Sequence, residues 1–245
     1  MSDFRPGGLR ITRKAMEHWK LPRGARVLDV GCGTGETMEY LEKEYGFTCS
    51  GIDLSMARLK EGRTRNPGLD IQYGDGEFLD GFSSYSFDGV LMECTLSLIN
   101  LPDEALHEAY CVLKKGGRLF VSDLYIKDPD PGFVKALAIE AERQSKKPHR
   151  EMECGDDCAE EHRSRPSALR SDGRFLIDPL IEQLTEIGYR SIAWEDCSQE
   201  LDNFVAEKLM RDGTLEGCLC DAALHPRDKF KTGYFMLTAE KPLQD

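Results

Sequence analysis

The stretch Ala25-Arg-Val-Leu-Asp-Val-Gly-Cys-Gly-Thr-Gly35 decides the fold. Residues 25–30 are a short β-branched and apolar run, and glycines at positions 31, 33 and 35 close it. This is the pattern of a buried strand entering a loop whose backbone must turn tightly and approach a ligand. Beyond the loop Met38, Leu41 and Tyr45 recur at helical spacing, and Gly46 stops that helix. Residues 47–52 read as the next strand, and Ser55 as the N-cap of a helix that Asn66-Pro-Gly68 breaks. Residues 69–73 form a third strand. A fourth, at 87–92, is almost continuously apolar, which suits a strand covered on both faces. Pro102 opens a helix with Ala105, Leu106, Ala109, Tyr110 and Leu113 on one side, Gly116-Gly117 ends it, and 119–121 is strand five. Strands alternating with helices predict an α/β fold: a doubly wound, Rossmann-like, mainly parallel sheet in three α/β/α layers.

The alternation then breaks. Residues 125–172 carry Pro129, Pro131, Pro148 and Pro166, are rich in charge, and show a helical period only around 133–144. Long irregular segments in compact domains are usually functional or disordered, and this one is expected to cap the substrate mouth. Order resumes with a helix at 179–187, a strand at 189–194 and a helix bearing Leu201, Phe204, Val205 and Leu209 on one face. A second irregular stretch covers 213–230, and 234–239 is the last strand. The whole is expected to be a single domain, with residues 1–24 as an N-terminal lid.

The chain has 245 residues, 40% of them hydrophobic, and a net charge of −12 from 32 basic and 44 acidic side chains. An acidic chain is a poor general binder of nucleic acid, whose phosphates need clustered Lys and Arg. No apolar run approaches the ~18 residues of a membrane helix, and residues 1–5 lack the apolar block of a secretion signal. The expected setting is cytoplasmic, with a small-molecule substrate and no membrane or nucleic-acid partner; nothing in the sequence fixes the oligomeric state. Residues 1–26 carry seven basic side chains against two acidic ones, with Arg5 and Arg10 available to carboxylates, whereas 151–161 carries six carboxylates and no base.

Three acidic residues give the glycine loop its chemistry. Asp53 ends the second strand, where a carboxylate can accept both hydroxyls of a ribose. Asp75, after the third strand, can accept from an exocyclic amine such as that of adenine. Asp29 precedes the loop and can bond a ligand ammonium or hold the glycine turn. A nicotinamide dehydrogenase is disfavoured, because the third glycine of its fingerprint would fall at residue 36, which is Glu. No Gly-Lys-Ser/Thr is present to cradle a nucleotide triphosphate.

Val27–Gly35, Gly51-Ile-Asp-Leu-Ser55, Gly74-Asp-Gly76, Phe87-Asp-Gly-Val90 and Leu113-Lys-Lys-Gly-Gly-Arg-Leu-Phe-Val-Ser122 resemble, in order, the motifs of class I S-adenosylmethionine-dependent methyltransferases. The resemblance covers residues 25–123. It implies that Asp29, Gly31, Gly33 and Gly35 flank the methionine part of the cofactor, Asp53 its ribose and Asp75 its adenine. Cys32, Leu54, Gly76 and Glu93 complete the expected contacts. It also implies a seven-stranded sheet with an antiparallel last strand. Transfer from a sulfonium methyl is an in-line displacement that needs alignment and water exclusion more than acid–base help.

The nine cysteines divide by position. Cys32 belongs to the glycine loop, and Cys49 and Cys111 read as core. Cys94 follows the fourth strand at the edge of the expected pocket, Cys154 and Cys158 lie in the insertion, and Cys218 and Cys220 in the second irregular stretch. Cys94 resembles the cysteine at that strand end in arsenite methyltransferases, where thiolates hold trivalent arsenic; Cys154 and Cys158 are then candidates for the second thiol. The glycine loop is closer to that of quinone-biosynthesis methyltransferases. A zinc site of Cys154, Cys158, Cys218 and Cys220 is a further reading, as is a cofactor- or metal-binding module without turnover.

Overall fold

A computed structural model describes residues 5–145, 168–215 and 231–243. The chain order is α1 (Leu9–Trp19), β1 (Arg26–Val30), α2 (Glu36–Tyr45), β2 (Thr48–Asp53), α3 (Met56–Arg65), β3 (Ile71–Tyr73), β4 (Phe87–Glu93), α4 (Pro102–Val112) and β5 (Leu113–Lys127). There follow α5 (Pro131–Ser145), the short β6 (Arg170–Ser171) and β7 (Arg174–Phe175), α6 (Ile177–Ile187), β8 (Arg190–Asp196), α7 (Ser198–Asp212) and β9 (Lys231–Glu240).

The strands form one sheet. β3, β2, β1, β4 and β5 are parallel neighbours in that order. β9 lies antiparallel between β5 and β8, from Arg118 opposite Glu240 to Lys127 opposite Lys231. The expected seven-stranded sheet with one antiparallel last strand is thus present, and the β6–β7 hairpin joins β5 through the pair Tyr125–Phe175.

Helices cover both faces, which is why the central strands read as unbroken apolar runs. Leu28, Val90, Met92, Leu119 and Val121 pack with Leu106 and Ala109 of α4 and Leu180 and Leu184 of α6. Their strand neighbours Val27, Leu91 and Phe120 point the other way, into Trp19 of α1, Met38 and Leu41 of α2 and Leu201 of α7. Among the described residues no helix is long and apolar enough to cross a membrane.

Two expectations need correction. Gly116-Gly117 does not end a helix: α4 stops at Val112 and β5 begins at Leu113. The pairing with β4 slips here, Phe87 facing Leu113 but Gly89 facing Arg118. Gly116 takes φ +79°, and its N–H donates to Lys241 O at 2.7 Å, so the glycines shape a bulge in the strand. Cys111 is not core. α4 buries Ala105, Leu106, Ala109 and Val112, which leaves Cys111 on a flank, half exposed beside His107. Arg10 meets a carboxylate of its own chain, pairing with Glu200 of α7, and does not line the cleft described below.

Candidate active site

A cleft of about 350 Å³ opens at the C-terminal ends of β1, β2 and β4 and beside the turn that leaves β3. That volume falls in the roughly 300–1,000 Å³ range of small-molecule sites. Open α/β sheets bind ligands at this edge because the strand order reverses there, here between β1 and β4, and the diverging connections leave a crevice.

The glycine loop forms the cleft's inner wall. Gly31, Gly33 and Gly35 all take positive φ, and Gly31 N and Cys32 N both donate to Ile52 O, at 2.8 and 2.9 Å. Asp53 fastens the loop from the neighbouring strand: its Oδ2 accepts Gly33 N–H at 2.8 Å and its Oδ1 accepts Ser55 N–H at 2.7 Å. Each oxygen keeps a second acceptor site. Asp75 Oδ1 accepts Glu77 N–H at 3.0 Å. Glu77 then reaches across to take Asn100 N–H at 2.7 Å and Leu101 N–H at 3.2 Å, satisfying donors at the start of α4.

Acidic groups crowd the other end. Glu93 is buried and receives Thr12 Oγ1 at 2.7 Å, Thr37 Oγ1 at 3.0 Å and the Arg5 guanidinium at 3.1 Å. Asp29 is buried too. Burial, and next to it the charge of Glu93, pushes its carboxyl up to about 7. Arg5 lines the cleft, and its Nε is buried without a hydrogen-bond partner among the described residues.

Of the residues singled out in the sequence, Asp29, Gly31, Cys32, Asp53, Leu54, Asp75, Gly76, Glu93 and Cys94 all line this cleft. Gly33 and Gly35 shape the turn without lining it. Cys154, Cys158, Cys218 and Cys220 lie outside the described residues. Cys94 Sγ is 3.0 Å from Tyr234 Oη, which donates onward to Ser122 Oγ at 3.1 Å. Burial, then the charge of Asp123, raises this thiol far above its ordinary range, so it is neutral at physiological pH. These surroundings do not activate the free thiol of Cys94. Sequence reading missed Thr12, Thr37, Arg58, Glu77 and Asn100. Their contacts span distant parts of the chain, and no local pattern marks them.

The lining decides between ligands by charge. Asp29, Glu36, Asp53, Asp75, Glu77 and Glu93 set six carboxyls against the guanidinium groups of Arg5 and Arg58. A dinucleotide's pyrophosphate would be repelled; a sulfonium with an ammonium group is suited.

A methyltransferase domain model matches residues 28–121, the span that supplies all of the cleft's lining except Arg5. Residues 28–121 are thus similar to the cofactor-binding part of class I S-adenosylmethionine-dependent methyltransferases. The ubiquinone/menaquinone biosynthesis C-methyltransferase UbiE of Ruegeria sp. (strain TM1040) is 36% identical over 144 residues, 55% of this chain and 57% of that protein. The demethylmenaquinone methyltransferase of Renibacterium salmoninarum is 39% identical over 100 residues, 41% of each chain. The chain spans about half the length of these curated relatives. Its fold is similar to that of the [4+2]-cyclase SpnF, with a TM-score of 0.65 at 24% identity over 96% of this chain and 81% of that one. It is also similar to phosphoethanolamine N-methyltransferase 2 of Haemonchus contortus in complex with S-adenosyl-L-methionine. There the TM-score is 0.66 at 17% identity, over 98% of this chain and 54% of the other. A cyclase on the same fold shows that architecture alone does not fix the reaction.

Removing the loop's fastener tests the cleft. Asp53→Ala leaves two backbone donors unpaired and deletes the carboxylate that the cleft presents at the end of β2. S-adenosylmethionine affinity should fall by about 1–3 kcal/mol in calorimetry; unchanged affinity would remove Asp53 from the site.

Proposed function

We propose that this chain transfers the methyl group of S-adenosylmethionine to carbon on a small, quinol-like aromatic acceptor. The acidic cleft at the strand ends carries the cofactor half of the reading, and the names of the similar C-methyltransferases carry the acceptor half. In it Asp53 receives the ribose hydroxyls, Asp75 the adenine amine, and Leu54 and Ile99 offer apolar contact to the base. Asp29 and Glu93 receive the ammonium of the methionine end, and the guanidinium of Arg5 its carboxylate. When bound, the cofactor supplies an activated sulfonium methyl. The chain's part is to hold it, to aim it and to keep water out; no side chain has to form a covalent intermediate. The N-terminal lid rests on Arg5, the first described residue, and the substrate cap at 125–172 is carried over from the sequence, its residues 146–167 lying outside the described ones.

The arsenite reading needs Cys94 as a thiolate and a second thiol at Cys154 or Cys158, and neither the setting of Cys94 nor the similar proteins support it. Likewise nothing supports resident zinc or arsenic at Cys154, Cys158, Cys218 and Cys220. The deciding experiment incubates the purified chain with methyl-labelled cofactor and either a reduced demethylated quinone or arsenite with a thiol. Label is expected on a ring carbon of the quinol, with Cys94→Ser as active as the parent. Label on arsenic alone, lost in Cys94→Ser, would replace this proposal with the metalloid one.

A further inference from the structure

We propose that His107, Glu108 and Cys111 of α4 form a second site, for a borderline-soft divalent cation of the Zn²⁺ class, outside the cleft. Their donor atoms all lie within 4.8 Å of one another. His107 and Cys111 are four residues apart and Glu108 and Cys111 three, so the helix itself brings the three side chains together. Cys111 Sγ stands 3.8 Å from His107 Nδ1. A tetrahedral zinc with bonds of about 2.3 Å to sulfur and 2.0–2.1 Å to nitrogen separates those two donors by roughly 3.5 Å. A small χ rotation closes the difference.

Glu108 is already oriented. Its Oε2 accepts Leu79 N–H at 3.2 Å, which fixes the carboxylate and leaves Oε1 for a cation. The donor set of one imidazole nitrogen, one sulfur and one carboxylate oxygen selects Zn²⁺, Co²⁺ or Ni²⁺ over the oxygen-preferring Mg²⁺ and Ca²⁺. Three protein donors leave the fourth position to water. The exposure of His107 and the partial exposure of Glu108 and Cys111 let the ion in. None of the three lines the cleft. The site nonetheless sits where α4 holds the segment that leaves Asp75. That segment docks through Leu79 N–H on Glu108, Tyr85 N–H on Cys111 O at 3.1 Å and Ser86 N–H on Val112 O at 2.8 Å. An ion held here would brace the outer wall of the cleft without touching its ligand.

Co²⁺ is the probe, because a thiolate ligand gives a charge-transfer band in the near ultraviolet and tetrahedral geometry gives intense visible bands. With nine cysteines in the chain the difference between variants is decisive, not the band alone. The full chain should lose one bound equivalent of Co²⁺, or bind it at least tenfold more weakly, in both Cys111→Ser and His107→Ala, and Zn²⁺ should displace the ion from the parent. Metal-free melting temperatures should match the parent, since both side chains reach solvent. Should Cys111→Ser fail to fold, the exposed His107→Ala decides. Parent-like stoichiometry and affinity in His107→Ala, or no thiolate band in the parent, would overturn the site.

Discussion

Gly31→Ala is expected to destabilise the protein by about 3–5 kcal/mol and to abolish measurable cofactor binding, while Gly24→Ala costs only about 1–2 kcal/mol and spares binding. The two glycines share a φ of +80°, so both substitutions carry the same backbone strain. They differ in what the new methyl group meets. At Gly24 nothing lies within 4 Å. At Gly31 the Cβ would stand 2.0 Å from Thr95 Oγ1 and 2.5 Å from Thr95 Cγ2. Thr95 cannot simply swing away, because a β-branched side chain has few rotamers and its hydroxyl donates to Glu93 O at 3.1 Å. The loop or the β4 turn must therefore move, and both form cleft wall. Adding Thr95→Ala to Gly31→Ala removes the Oγ1 and Cγ2 clashes but leaves Thr95 Cβ 2.8 Å from the new methyl group. The double variant should therefore recover part of the loss and stay costlier than Gly24→Ala. Thermal unfolding and calorimetry on the four proteins give the result; equal losses at positions 24 and 31 would show that crowding against Thr95 is irrelevant.

This contrast marks how far the sequence could be read. The cofactor half is written locally: one apolar run, one glycine loop and one carboxylate at each following strand end, all within residues 25–93. Parallel strands packed on both faces have few alternatives, so their apolar runs identify them even without alternation. What was not legible is whatever depends on a partner far along the chain. The bulge at Gly116 exists because Lys241 O accepts its N–H, and a glycine pair alone reads equally well as a helix stop. The two-residue strands β6 and β7 are too short to carry a period. Glu93 was recognisable as a pocket-edge residue, but its saturation by Thr12, Thr37 and Arg5 joins α1 and α2 across more than fifty positions of sequence. Cys111 was misassigned for a related reason. Helical periodicity gives an apolar side, but which residues at its margin are covered depends on what packs there.

Asp29→Asn should make the ligand-free protein more stable above pH 7 and a weaker binder of S-adenosylmethionine. The native carboxyl of Asp29 titrates at about 7, against 3.8 for an unperturbed one, because burial and then Glu93 disfavour its charge. Between about pH 4 and 7 the native state keeps a proton that the unfolded chain has released. Stability therefore falls as pH rises through this window, by on the order of 2–4 kcal/mol for this group, and the loss is complete above 7. Asparagine cannot ionise, so the variant escapes that loss and should match the parent near pH 4. Asp123, buried and raised to about 6 chiefly by burial, has the same sign and remains in the variant, so the slope between pH 5 and 8 should shrink without vanishing. Binding runs the other way. An ammonium at the methionine end neutralises the strained charge, so parent affinity should rise with pH through about 7 and the variant should lose that dependence. Holding an unfavourable carboxylate ready for a cation is how a site trades stability for recognition. Denaturant unfolding and calorimetric titration from pH 5 to 8 test both halves. A variant no more stable than the parent at pH 8 would show that Asp29 is not strained, and a parent affinity independent of pH would show that it does not receive the ammonium.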